Sequence, residues 1–71
     1  MKYLVIELQT NRDESVAQLV TVHDTRDEAE SKYHTVLSYA AVSALPIHAA
    51  VMITSEGATI KHETYYHALE D

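Results

Sequence analysis

Histidine is the residue type in this sequence with the widest chemistry, and the chain has five of them. Imidazole and carboxylate groups can together bind zinc without thiolates, and this chain contains no cysteine. The sequence has neither an HxH nor an HExxH pattern, and its histidines fall on four different predicted elements. We therefore predict ordinary surface or hydrogen-bonded histidines. The weak metal candidates are His48, His62 and His67, because the last two predicted strands can bring them together.

Carboxylates crowd the beginning of the predicted helix, at Asp24, Asp27, Glu28 and Glu30. Paired carboxylates can act as general acid and base, or hold a metal, when they line a pocket. The positive end of a helix macrodipole also attracts carboxylates, and Thr25 followed by Glu28 fits a capping box. Helix capping is therefore the preferred interpretation of this cluster.

Two serines of the predicted helix, Ser38 and Ser43, would suggest a hydrolase if a histidine lay nearby. Neither a nucleophile elbow nor an oxyanion loop accompanies them. The single glycine, Gly57, leaves no glycine-rich loop that would bind a phosphate. The sequence therefore predicts no enzyme and no cofactor.

The tyrosines and the charge balance bear on nucleic-acid binding. Aromatic platforms that stack bases come with basic residues, whereas Lys and Arg total 5 against 11 Asp and Glu, a formal charge of −6. This balance argues against non-specific binding to nucleic acids or anionic membranes. Tyr33 is predicted to lie in the core. Tyr65 and Tyr66 are neighbours on one strand and point to opposite faces.

A length of 71 residues predicts a single domain, residues 1–71, whose own core is marginal. Small proteins without disulfides often gain stability by oligomerising. No apolar run approaches the ~20 residues that span a bilayer, and Met1 leads directly into a strand-like pattern without a signal-peptide cleavage site. The absence of cysteine makes a reducing cytoplasm the expected location.

Residues 25–46 are predicted to form one long amphipathic helix around which the chain is organised. Its apolar side chains recur every three or four residues as one stripe: Ala29, Tyr33, Val36, Leu37, Ala40, Ala41 and Ala44. Pro46 cannot continue a helix, so the helix is predicted to end near Ser43 or Ala44. The alanines would let its second half lie close to a sheet.

Four strands are predicted around the helix, at residues 2–10, 16–23, 47–54 and 58–67. A polar cluster at residues 11–15 joins the first two as a hairpin. Gly57 can adopt the left-handed conformation that a bulged turn requires in the second hairpin. The last four residues, 68–71, are predicted to be a frayed acidic tail.

The order ββαββ predicts an α+β fold, a four-stranded antiparallel sheet with one helix packed on one face. The helix reverses the chain, so the third strand runs antiparallel to the first and the strand order 2-1-3-4 becomes possible with a right-handed crossover. The order 2-1-4-3, with the first and fourth strands parallel, stays open. The register of each hairpin and the identity of the covered face also stay open.

A single helix covers only one face of such a sheet, so the other face needs a different cover. We predict that this other face presents Tyr3, Val5, Ala50, Met52 and Tyr65. An apolar sheet face on a small protein usually marks an interface. Interface candidates are therefore Tyr3, Val5, Met52 and Tyr65, in a homodimer formed through this face or through paired sheet edges.

The segments MKYLVIELQT and AESKYHTVLSYAAVSALPIHAAVMITSEG, followed by a short polar tail, resemble small proteins encoded in prophages and phages of gut Firmicutes, often within the structural-gene region. The resemblance covers nearly the whole chain and concerns its overall pattern, so it transfers no catalytic or binding residue. It implies a bacterial or phage origin and a supporting role.

Three functions fit these observations. The first is a small protein–protein interaction module that acts as a homodimer and binds an unidentified protein partner, without binding nucleic acid or membrane directly. The second is an acidic mimic of nucleic acid that inhibits a host DNA-binding protein. The third is a small histidine-based metal-binding protein.

Overall fold

The computed structural model describes residues 1–67, and the helix and strands follow one another in the predicted order. Their bounds are β1 Tyr3–Thr10, β2 Val16–His23, α1 Arg26–Val42, β3 Ile47–Thr54 and β4 Thr59–Tyr66. Each strand agrees with its prediction to within one residue at either end. The predicted acidic tail, residues 68–71, lies outside the described residues.

The four strands form one sheet in the order β2-β1-β3-β4, and every neighbouring pair is antiparallel. This confirms the predicted α+β fold and excludes the alternative order in which the first and fourth strands are neighbours. β1 is central, with Glu7 opposite both Leu19 of β2 and Ala50 of β3. The pairing of β3 with β4 shifts its register between Met52 and Ile53. Because the pairing is regular, the side chains of two paired residues point to the same face of the sheet, and successive residues along a strand point to opposite faces.

Both ends of α1 are capped by residues next to them in the sequence. The Thr25 hydroxyl accepts a hydrogen bond from the Glu28 N–H at 3.2 Å, as the capping interpretation predicts. Asp27 and Glu28 occupy the first turn, where the positive end of the macrodipole favours carboxylates. At the other end, the Ser43 N–H donates to the Ala40 carbonyl at 3.4 Å. The helix therefore ends where the sequence predicts.

Both hairpin turns use a residue in the left-handed conformation. Gly57 has φ 92°, which costs a glycine nothing, whereas Glu14 in the first turn has φ 71° and carries a side chain. That turn is held by the Asn11 N–H, which donates to the Ser15 carbonyl at 2.9 Å. The Asp13 carboxylate accepts from the Ser15 N–H at 3.0 Å. These local hydrogen bonds offset the strain at Glu14.

The core lies between α1 and one face of the sheet. It is built from the helix, β1 and β3, and its buried members are Val5, Ala29, Tyr33, Val36, Ala50 and Met52. Tyr33 therefore lies in the core as predicted. The largest fully buried side chains are only Met52 and Val5. The core of one chain is thus thin, in keeping with its length.

The prediction of which sheet face lies open is wrong. The predicted interface residues Val5 and Met52 are 1% and 0% exposed beneath α1. Tyr3 packs against the same core. Tyr65 also lies on the helix side of the sheet, since it pairs with the buried His48 in β3. None of these residues belongs to the uncovered face.

The error has a physical cause. Alternation gives β1 and β3 two apolar sets each, and the handedness of the crossover does not say which set points toward the helix. Packing against α1 determines which of the two sets is buried. Ala50 is fully buried beneath the helix, where Ala29 and Ala40 of the helical stripe are also fully buried. The small residues therefore lie where α1 meets the sheet, on the face that also carries Val5 and Met52.

Candidate functional site: the open face of the sheet

The sheet face opposite α1 has no cover within residues 1–67, and we call it the open face. It consists of alternate residues from all four strands: Leu4, Ile6, Leu8, Thr10, Val16, Gln18, Val20, Val22, Ile47, Ala49, Val51, Ile53, His62, Thr64 and Tyr66. The pairing arranges these residues in rows across the sheet. One central row runs Val20, Ile6, Val51 and His62. Side chains from distant parts of the chain thereby form one continuous surface.

The open face carries no Asp, Glu, Lys or Arg, although these residues make up 23% of the chain. Within the same strands, Glu7, Lys61 and Glu63 all lie on the helix side. An antiparallel sheet with one solvated face normally places its polar residues on that face. The open face has the composition of a buried surface instead.

Many of the larger aliphatic side chains of the sheet lie on the open face. Leu4, Ile6 and Leu8 of β1 are only half-buried, as are Val51 and Ile53 of β3. The chain therefore leaves these leucine, isoleucine and valine side chains outside its core cluster.

The size of the open face follows from strand geometry. Strands of 8 residues are about 27 Å long and lie about 4.8 Å apart, which gives a projected area of about 500 Å². The largest apolar patch on a typical monomer is about 300–600 Å². A standard interface buries about 800 Å² per partner. The projected area of the open face is therefore that of a large apolar patch and lies below the area of a standard interface.

A second feature is a buried polar cluster that joins the end of α1 to β1 and β3. His48 is 3% exposed. Its Nε2 lies 2.6 Å from Oε2 of Glu7, and its Nδ1 lies 2.9 Å from Oγ of Ser43. The Gln9 side-chain amide donates to the same Glu7 oxygen at 2.9 Å. Both nitrogens of the His48 imidazole therefore have a hydrogen-bond partner.

The electrostatics of Glu7 show how this residue takes part in the cluster. Burial raises the pKa of Glu7, but the hydrogen bonds from Gln9 and His48 and the nearby positive charge of Lys32 outweigh it, so the pKa lies below its usual value. An ionised carboxylate only accepts hydrogen bonds. Nε2 of His48 therefore donates to Glu7, while Nδ1 of His48 and the Ser43 hydroxyl share the second hydrogen bond.

This order of serine, histidine and carboxylate resembles a nucleophilic triad with the two ring nitrogens exchanged. Ser43, however, caps the C-terminal end of α1. The negative end of the macrodipole lies there and would destabilise an oxyanion. Residues 1–67 also enclose no pocket that would hold a substrate. We assign the cluster a structural role, the fixing of the helix end against the sheet.

Sequence reasoning considered Ser43 beside an unspecified histidine, but it missed the partnership with His48 and Glu7. Glu7 and Gln9 are polar residues on an otherwise apolar central strand, and Gln9 pairs with His48. The two polar side chains on one face of β1 were the available signal, and only the register shows which residue meets them.

The structure does not bring the weak metal candidates together. His48 lies in the buried cluster on the helix side, and His62 lies on the open face. Nε2 of His67 lies 2.9 Å from the Ala40 carbonyl, at the end of α1. Among the described residues, no three His, Asp or Glu side chains are placed to share a metal ion.

The acidic cluster at the start of α1 is partly neutralised by cations of the same chain. Asp24 pairs with Lys2. Glu30 accepts from Lys61 at 2.9 Å and from Arg26 at 3.3 Å, and the Lys61 hydrogen bond is the main reason why the pKa of Glu30 lies below its usual value. Asp24 and Glu30 are thus ion-paired, whereas Asp27 and Glu28 occupy the first turn of α1. The arrangement fits capping and local ion pairing.

Comparison with models of protein families, with curated proteins and with solved structures found no match for this chain. Its helix, Arg26–Val42, is too short and too polar to cross a membrane, and the described residues contain no other helix. The geometry of the open face is therefore the main guide to function.

Proposed function

We propose that this protein is a small protein–protein interaction module that acts as a homodimer, in which two copies pack open face against open face. The observation that carries the proposal is the uncharged, apolar composition of the open face in a chain of net charge −6. The interface candidates are accordingly Ile6, Val51 and their neighbours, in place of the residues predicted from the sequence.

A second copy fits the open face better than a charged partner does. Two copies carry like net charge, but no charged side chain of either copy would lie in the contact. Two sheets pack face to face at about 10 Å with their side chains interdigitated. Such a contact is isologous and closes after two copies. Both helices then face outward.

The dimer would present two identical outer surfaces, which makes it a bivalent binder of a further protein. We propose a supporting role without enzymatic activity, in a bacterial or phage setting and in the cytoplasm. The support for this part is the resemblance to phage-encoded proteins and the cysteine-free sequence. Direct binding to nucleic acid is not part of the proposal, because the net charge is negative.

Sedimentation equilibrium at micromolar concentration tests the proposal. The perturbing variant is Ile6→Lys, at the centre of the open face, and Val22→Lys repeats the test at a residue that is already 61% exposed in one chain. The matched control is Val42→Lys, at the exposed end of α1. We expect both open-face variants to halve the mass of the wild-type assembly, whereas Val42→Lys leaves it unchanged.

Circular dichroism on the same samples shows whether each variant is folded. If Ile6→Lys does not fold, the mass of Val22→Lys provides the test. A wild-type mass of 8.0 kDa, that of one chain, would overturn the proposal. So would a folded Val22→Lys variant with the wild-type mass.

A further inference from the structure

The outer edge of β2 is a second surface of the sheet that lacks a partner in the described chain. We propose that β2 pairs antiparallel with β2 of a second copy, so that the sheet continues from one copy into the next. In this contact Leu19 lies directly opposite Leu19 of the partner subunit. The contact is separate from the open face and adds a second interface to the proposed dimer.

The β2 edge has none of the features that natural proteins use to block edge-to-edge pairing. Such features are charged residues, proline, bulges and very short strands. The β2 sequence VAQLVTVH contains no charged residue and no proline, and it pairs with β1 over all 8 residues without a shift. The opposite edge differs. β4 contains Lys61 and Glu63, and its pairing with β3 is interrupted by a register shift.

Hydrogen bonds in the turns show which β2 residues point their backbone groups outward. The Asn11 N–H donates to the Ser15 carbonyl. In an antiparallel ladder the hydrogen-bonded pairs alternate, so Ala17 and Leu19 bond to β1. The N–H and C=O groups of the residues between them point away from the sheet, namely Val16, Gln18, Val20 and Val22. These groups are available to a further strand.

The same alternation of inward and outward backbone groups along β2 limits the register of a symmetric contact between two β2 strands. Outward-pointing residues must meet outward-pointing residues, as when Val16 pairs with Val22 of the partner subunit and Gln18 with Val20 of the partner subunit. The two-fold axis then passes between the two copies of Leu19. This is a non-hydrogen-bonded position, where facing side chains come closest.

The exposure of Leu19 supports this register over its neighbours. Leu19 points to the helix side, but α1 does not reach it, and it is 58% exposed. In the proposed contact, Leu19 of one copy would be covered by Leu19 of the partner subunit. A register moved by two residues would place Leu19 opposite Thr21, a polar residue, or opposite Ala17, a smaller one that covers less of it. The pairing of two leucines is therefore the favoured arrangement.

Charge also favours a second copy as the occupant of this edge. β2 itself carries no charge, so two such strands bring no like charges into register. Asp24, just beyond the strand, is already paired with Lys2. The axis of the edge contact is perpendicular to the sheet, and the axis of the face contact lies parallel to it. Where these two axes intersect, the two contacts together close on four copies with dihedral symmetry.

Cysteine cross-linking tests the contact, because the chain has no cysteine of its own. Leu19→Cys would place two thiols on the two-fold axis, at a Cα separation that a disulfide spans. Ala17→Cys is the matched control, since it lies on the same strand and face but is offset from the axis. Under mild oxidation we expect a covalent dimer from Leu19→Cys and none from Ala17→Cys.

Both cysteine variants are also made in the Ile6→Lys background, in which the face contact is absent. Persistence of the Leu19→Cys cross-link there supports the edge contact whatever happens to the face. A Gln18→Pro change, which removes an outward N–H at an edge where proline is tolerated, should abolish the cross-link. A folded Leu19→Cys protein that stays monomeric on a non-reducing gel would overturn the proposal, as would equal cross-linking of Ala17→Cys.

Discussion

The replacement of His48 by leucine tests the structural role of the buried polar cluster. His48 is 3% exposed and binds Glu7 and Ser43 with its two ring nitrogens. Leucine has a similar volume and no polar atoms, so the change removes the polar contacts while leaving little cavity. The expected result is a large loss in the free energy of unfolding.

The magnitude follows from what Glu7 retains. A buried group that loses its hydrogen-bond partner costs about 1–3 kcal/mol, and more where the group is charged, as the Glu7 carboxylate is. Glu7 keeps the hydrogen bond from Gln9 at 2.9 Å, and 15% of its side chain is exposed. We therefore expect His48→Leu to lower the free energy of unfolding by about 2–3 kcal/mol. At about 4–8 °C per kcal/mol for a domain of this size, the melting temperature falls by about 8–24 °C.

Urea unfolding at pH 7, followed by circular dichroism, provides the measurement. All variants are compared at one protein concentration, because self-association contributes to apparent stability. Ser43→Ala is the matched control, since it removes only the hydroxyl partner of His48 and should cost about 1 kcal/mol. The reasoning fails if His48→Leu is no less stable than Ser43→Ala.

The cluster also predicts a pH dependence. The pKa of Glu7 in the folded protein lies below its ordinary value of 4.5. Its contribution to stability is therefore complete above that value and is lost as the pH falls through the lower folded pKa. Glu7→Gln removes this titration but keeps an oxygen that accepts from His48. The stability gap between wild type and Glu7→Gln should narrow from pH 6 toward pH 3, and a gap that is constant over this range contradicts the assignment.

Three further substitutions test other parts of the fold by the same unfolding measurement. Thr25→Ala removes the hydroxyl that accepts from the Glu28 N–H and should cost about 1 kcal/mol, while the exposed Thr35→Ala serves as control. Met52→Ala empties a fully buried site and should cost about 2–5 kcal/mol; an effect below the Thr25→Ala value would contradict its place in the core. Glu14→Gly relieves the positive φ of 71° and should gain up to about 1 kcal/mol. A loss of stability on Glu14→Gly would show that the conformation is not strained.

Local chemistry explains why the sequence predicts the elements so well. The Thr25 cap and Pro46 bound α1, and Gly57 marks the second turn, and each acts through its own neighbours. Chain reversal by the helix then restricts the sheet to few orders, one of which is observed. These are short-range or topological constraints, and a single sequence contains them.

Which face α1 covers and which polar groups meet beneath it depend on contacts between distant residues. Glu7 and His48 are 41 positions apart and become neighbours only through the register of β1 with β3. Val5 and Ile6 are both apolar neighbours on one strand, yet one is buried by the helix and the other lies on the open face. Alternation distinguishes the two sets but does not rank them. The polar residues Glu7 and Gln9 lie in the set that faces the helix, where Glu7 meets the buried His48.

The choice of face is itself an argument for self-association. Had α1 covered the set that contains Leu4, Ile6 and Val51, one chain would bury larger aliphatic side chains and expose its polar residues. In the proposed homodimer the open face is also removed from water. The thin core and the apolar open face are two consequences of one packing solution, and in the proposed homodimer a second copy would complete the hydrophobic core that a single helix leaves unfinished.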